Sequence, residues 1–178
     1  YLSFSYNSII DVDPSSSIYL TSPTGDFSAG LVKYSSSGQF LSFSEFNGSD
    51  DVGITDVHIN NNRILISGGF SGSFDLDPGL GNTILTSGGS MDAFIGVFNL
   101  NMMPLAAHAI SGTMDQFGGI FHQTDKDEIY LFGAFEGTVD LDLSPATNFF
   151  LAGSTNDGYL LKFDTIGNYQ SCASLVCN

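Results

Sequence analysis

Apolar and polar residues alternate in short runs along the whole chain, and turn residues separate the runs. Tyr1 to Tyr6 and Phe40 to Ser44 alternate with period two, the pattern of a half-covered strand. Ser17 to Thr21 and Leu31 to Tyr34 read as further short strands, and Ser35 to Gly38 as a turn. Pro and Gly interrupt every stretch long enough for a helix. The middle third is the fullest: strand A at Thr55 to Ile59, a turn at Asn60-Asn61-Asn62, and strand B at Arg63 to Ser67. An inserted hairpin follows, Ser73 to Leu76 with Asn82 to Thr86, hinged on Asp77-Pro78-Gly79. Strand C is then Ala93 to Phe98 and strand D Leu105 to Ile110. Consecutive Asn residues tolerate positive φ and suit a hairpin turn. Strand C is apolar on both faces, so neighbours must cover it on two sides.

The pattern repeats. Tyr6 aligns with Phe70 and Phe135, and Asp11-Val12-Asp13 with Asp75-Leu76-Asp77 and Asp140-Leu141-Asp142, at offsets of 64 and then 65 residues. The same offsets pair Tyr34 with Phe98 and Phe163. The third copy supplies B at Ile129 to Phe132, a hairpin strand at Asn148 to Leu151, C at Tyr159 to Phe163, and D at Tyr169 to Ala173. Its A strand, near Ile120 to Gln123, matches least well, because Val57 and Ile59 fall opposite His122 and Thr124. The chain therefore divides into 1–50 (strands B to D), 51–115 (a complete unit) and 116–178 (a unit ending at strand D). Four antiparallel strands per unit, covered on both faces by neighbours, describe a propeller blade, so the expected fold is all-β with propeller-like repeats.

Composition agrees with many short strands: sixteen Phe, seven Tyr, no Trp, and twenty-one Gly among the turns. Nineteen acidic and four basic residues give a formal net charge of −15. Phosphate backbones and anionic membranes would be repelled, which excludes nucleic-acid binding and direct membrane insertion as expected roles. Ser, Thr, Asn and Gly outweigh Lys in the turns, a balance of secreted or surface proteins. Cys172 and Cys177 lie five apart, where a small disulfide loop and two free thiols are both open.

The phrase Gly-x-Phe-x-Gly-x-Phe-Asp-x-Asp-Pro-Gly from Gly68 to Gly79, followed by Asp92-Ala93-Phe94-Ile95 and Phe98, resembles the β-propeller repeats of the SBBP type. The third copy departs at Leu143-Ser144-Pro145 and the first at Ser15, which bears on turn geometry alone. The resemblance implies a secreted or cell-surface protein of Bacteroidetes-like bacteria, often cargo of type IX secretion, with a binding or adhesion role and a protein or glycan partner. Propellers typically need roughly four or more blades. Further blades from the same longer chain are therefore expected.

Candidate chemistry is sparse. The recurring Asp11, Asp13, Asp75, Asp77, Asp140 and Asp142 would place paired carboxylates on one face of a strand, about 7 Å apart. A hard cation such as Ca²⁺ could bind there. The plainer alternative is that these carboxylates accept hydrogen bonds from turn N–H groups. Asp92 and Asp157, with Ser28 in the first copy, precede strand C, and their repetition argues for a structural role. His58, His108 and His122 read as unique residues without metal-like spacing, and no nucleophile elbow is present. Arg63 is the single arginine, too few for a sialidase-like site. The expectation is a non-catalytic module, with a structural spacer as the alternative and a glycan-active enzyme behind both.

Overall fold

The computed structural model describes residues 1–153 and 155–175. These residues form fifteen strands in antiparallel sheets. The first sheet is β1 (Leu2–Tyr6), β2 (Ser28–Tyr34) and β3 (Phe40–Phe46), in that order. In the second unit β4 (Val52–Asn60) and β5 (Arg63–Phe70) lead into a hairpin, β6 (Ser73–Asp75) with β7 (Ile84–Thr86). Then come β8 (Asp92–Asn99) and β9 (Pro104–Ile110). The third unit repeats this with β10 (Gln116–Gln123), β11 (Ile129–Phe135), hairpin β12 (Thr138–Asp140) and β13 (Phe149–Leu151), β14 (Asp157–Phe163) and β15 (Tyr169–Leu175). The complete sheets run β4-β5-β8-β9 and β10-β11-β14-β15, so each is a meander with the hairpin looped out.

One expected strand is not formed. Ser17 to Thr21 makes a single bridge, Asp11 to Leu20, flanked by Val12 N to Tyr19 O and Thr21 N to Ile10 O hydrogen bonds. It is the β6/β7 hairpin in a looser form. In the later units the hairpin is pinned to the segment leaving the preceding sheet, through bridges Gly48 to Phe74 and Gly112 to Val139. Ser49 N to Ser73 O and Thr113 N to Thr138 O reinforce the clasp. No such partner for the first unit exists among the described residues.

The turns explain the change of offset. Asn61 and Asn62, at φ of 45° and 61°, make a two-residue turn between β4 and β5, the twist that a hairpin favours. The corresponding turn between β10 and β11 has three residues, Asp125 to Asp127, with Asp127 at φ 60° and a Thr124 N to Glu128 O bond closing it. That extra residue lies after strand β10. Strands β4 and β10 therefore align at 64: Asp56 opposite Ser67 corresponds to Ile120 opposite Phe132. The expected pairing of Val57 with His122 is corrected to Val57 with Phe121, while Ile59 then corresponds to Gln123 and Gly53 to Phe117.

Two cores lie between the three sheets. We call the face toward the lower-numbered sheet the front and the other the back. Along β5, Ile64 and Ile66 point forward into a Phe-rich core with Phe46, Phe70, Phe94 and Phe98, while Leu65 points back. The back core joins Leu65, Ile95 and Val97 to Leu131, Tyr159 and Phe163 of the third sheet. Each large side chain so buried stabilises by about 1.5–3 kcal/mol. Seven of the eight residues of β8 are buried, the double cover its composition demands.

Cross-strand glycines make room for rings. Gly68 lies opposite Phe94, and Gly133 opposite Tyr159. A Cβ at Gly133 would come within 2.3 Å of the Tyr159 ring. In the first sheet the pair is reversed, with Phe4 on β1 opposite Gly30 on β2. One ring fills the position in every unit, whichever strand supplies it.

Candidate functional site

The six recurrent acidic residues are held by their own turns. Asp75 Oδ1 accepts from Asp77 N at 2.9 Å and from Thr83 N at 2.8 Å, and Asp77 Oδ1 accepts from Gly79 N at 2.8 Å. Asp11 accepts from Asp13 N and Tyr19 N, and Asp13 from Ser15 N. Asp140 accepts from Asp142 N and Asn148 N, and Asp142 from Ser144 N. The first carboxylate of each pair thus closes the hairpin loop and the second closes the next turn. A Cβ at Gly81 would lie 1.9 Å from Asp77 Oδ2, so a side chain there would displace that carboxylate oxygen; the equivalent turns carry Ser17 and Ala146. Hydrogen bonds from the Ser144 hydroxyl and backbone hold the Asp142 carboxyl below its ordinary value.

Among the described residues, none of these six enters a group of three acidic, His or Cys ligands. The group that forms is Asp26, Asp50 and Asp51, with ligand oxygens within 4.8 Å of one another. The turn before β2 brings it together by packing on the segment that leaves the first sheet. Gly25 sits at φ 68° with its would-be Cβ 2.5 Å from Asp50 O, and Val52 N donates to Phe27 O. The sequence holds Asp26 twenty-four residues from Asp50, so only the tertiary contact reveals the group.

Asp92 and Asp157 do the same work before β8 and β14. Asp92 Oδ2 accepts from Gly88 N at 2.6 Å, and Asp157 Oδ2 from Gly153 N at 2.7 Å. Ser28 substitutes with its hydroxyl, bonding both N and O of Thr24. Of the pair Cys172 and Cys177, whose disulfide or free-thiol state the sequence leaves open, Cys177 lies outside the described residues. Cys172 Sγ lies 3.5 Å from Asn148 Nδ2.

The histidines are less unique than the sequence suggests. With β4 and β10 aligned at 64, His58 and His122 occupy the same place, opposite Leu65 and Tyr130. His58 packs on Phe121, with ring centroids 6.1 Å apart. His108, on β9, faces a shallow groove shared with Asp140, Asp142 and Ser144 of the third unit, and burial lowers its pKa. The three do not converge on a common centre.

An apolar groove of about 460 Å³ opens where the first strands of the units approach each other. Ser5, Ile54, Thr55, Met91 and Phe117 line it, so all three sheets contribute. No motif marks it in the sequence, because its walls are single residues from separated strands. No family model matches this chain, and no curated protein shows significant similarity to it.

Proposed function

We propose that the chain is a run of SBBP-type β-propeller blades, serving as a non-catalytic binding or adhesion module of a secreted or cell-surface bacterial protein. The observation that carries this reading is the strand order. Each complete sheet is a four-strand meander, the sheets stack front to back, and the leading strands β4 and β10 lie side by side. In a propeller such strands line the axis. Further blades of a longer chain would complete the ring.

The binding role draws on the groove at those leading strands. Its apolar walls with a few backbone and hydroxyl groups suit a protein side chain or the flat face of a sugar ring. The recurring carboxylates, by contrast, are engaged by backbone N–H groups, which supports scaffolding over catalysis. That same observation favours the second reading, a structural spacer in an extracellular assembly. Calcium at the Asp-x-Asp turns would add to either reading as a stabilising ion.

The test is direct binding. Labelled protein titrated onto cell-surface protein and glycan arrays is expected to bind saturably, with affinity lowered about tenfold or more in Ile54→Asp, which puts a charge into the groove. Absence of saturable binding overturns the binding role and leaves the spacer.

A further inference from the structure

The apolar groove of about 460 Å³ has one charged wall. Asp51 and Phe27 line it there, and their chain neighbours Asp50 and Asp26 complete the group of three carboxylates whose oxygens lie within 4.8 Å of one another. The group therefore sits at the rim of the groove, on the turn that packs the first sheet against the second. Asp51 Oδ1 is closed to solvent and accepts no hydrogen bond. Among the described residues the one ion pair joins Lys162 to Glu128, so no cation of the chain neutralises the group.

The second junction separates what folding needs from what these residues add. There Asp115 stands where Asp51 does, and its Oδ1 accepts from Met91 N at 3.2 Å. Ser90 and Met114 stand in place of Asp26 and Asp50. The turn closes in the same way with one carboxylate: Gln116 N donates to Met91 O as Val52 N donates to Phe27 O. A Cβ at Gly89 would lie 2.5 Å from Met114 O, as one at Gly25 would from Asp50 O. The two additional carboxylates are thus dispensable to the packing, and their mutual repulsion opposes it. A turn recurs at each junction, whereas a binding group is needed once per site.

We infer that the groove receives an extended segment of a partner protein through a lysine. Its ammonium seats on Asp26, Asp50 and Asp51, and an adjoining apolar side chain fills the groove. Charge complementarity identifies this occupant. The centre of a triangle of that size lies no more than about 2.8 Å from each corner, the length of a charge-assisted N–H···O bond, and an ammonium has three donors for three carboxylates. Phe27, 45% exposed beside Asp26, suits the lysine stem, while Ile54 and Met91 suit the neighbouring side chain. The net charge of −15 steers basic segments toward such a rim. This inference rests on the groove being the binding surface, as proposed above, and narrows the partner from protein or glycan to a basic protein segment.

An array of linear peptides tests it, each lysine peptide printed beside a copy with that lysine Nε-acetylated, together with a glycan array and calcium titrated alone. Saturable binding is expected to peptides that carry lysine next to an apolar residue. Acetylation, which keeps the stem and removes the charge, should weaken it about tenfold or more. Asp51→Asn and Asp26→Asn/Asp50→Asn should weaken it to a similar degree, and Asp115→Asn, at the equivalent place of the second junction, less than about twofold. The acetyl-lysine comparison uses the parent chain, so it stands if a variant misfolds. Peptide binding indifferent to acetylation overturns the inference, as does binding to glycans alone; a defect in Ile54→Asp would then keep the groove as the binding surface. Calcium that binds the parent chain and not Asp26→Asn/Asp50→Asn makes the group a metal site and overturns it too. No saturable binding on either array overturns this inference and the binding role together.

Discussion

Over the three strands they share, the second and first sheets are built from equivalent residues yet differ in what holds them. The second has a neighbour on each face, so β5 divides its apolar side chains between two cores, and Ile64, Leu65 and Ile66 are all buried. Among the described residues the first has a neighbour on its back alone. Ala29, Leu31 and Phe46 are buried there, while the front keeps a looser cluster of rings, Phe4, Tyr6, Tyr19 and Phe43, with Tyr19 exposed. Even its buried Tyr6 leans on a polar partner, donating its hydroxyl to Glu45. Burial in a stacked array is thus a property of the junction as much as of the residue.

The largest effect should come from equivalent truncations in the two sheets. Ile66→Ala is expected to cost about 2–5 kcal/mol and Leu2→Ala less than about 0.5 kcal/mol, measured by denaturant unfolding at dilutions where the chain is monomeric. Equal losses would break the comparison. Next come the residues that close the loops before the third strand. Asp92→Ala removes a fully buried carboxylate from the Gly88 N–H and should cost about 1.5–3 kcal/mol, whereas Ser28→Ala should cost about 1 kcal/mol.

The pH response sharpens the second junction. Burial holds His108 below its ordinary value of 6.5, so its neutral form is the one the fold prefers. Its contribution is present above about pH 6.5 and is lost as the pH falls through the lower folded-state value. His108→Gln should flatten that part of the stability curve; an unchanged slope would remove His108 as its source. Smaller still, Asp127→Gly relieves a positive φ at an exposed turn and should raise stability by about 0.5 kcal/mol, read as a shifted denaturation midpoint.

Chelation separates the two accounts of the acidic turns. With Oδ1 of Asp75 already accepting two N–H groups, EDTA is expected to leave the Tm unchanged while Asp75→Ala lowers it. A Tm that falls with EDTA in the parent chain and not in Asp75→Asn/Asp77→Asn would assign calcium to that turn.

Much of the fold was legible because its signals are local. Period-two alternation found the long strands, and the two-sided apolarity of Ala93 to Phe98 announced neighbours on both faces. The Asp-x-Asp spacing located the hairpins, since a carboxylate that caps an N–H two residues on is readable without tertiary knowledge. The register of β10 was not legible. One residue added in the Asp125–Asp127 turn shifts everything before it, and no apolar pattern reports turn length. That slip also hid the equivalence of His58 and His122. The strand at Ser17 to Thr21 would depend on a clasp that no described residue supplies, a tertiary cause. The apolar groove and the Asp26, Asp50, Asp51 group gather residues from separated segments, which no spacing rule could connect.

Native-state hydrogen exchange on the dilute, monomeric chain tests the central contrast most directly, because it reads the two sheets in one experiment. Amides of β5 and β8 are expected to exchange most slowly, at the rate set by global unfolding, and those of β2, the equivalent of β8 and likewise paired on both edges, markedly faster. Protection of β2 equal to that of β8 would contradict the account, since the neighbouring sheet would then not be what stabilises a unit.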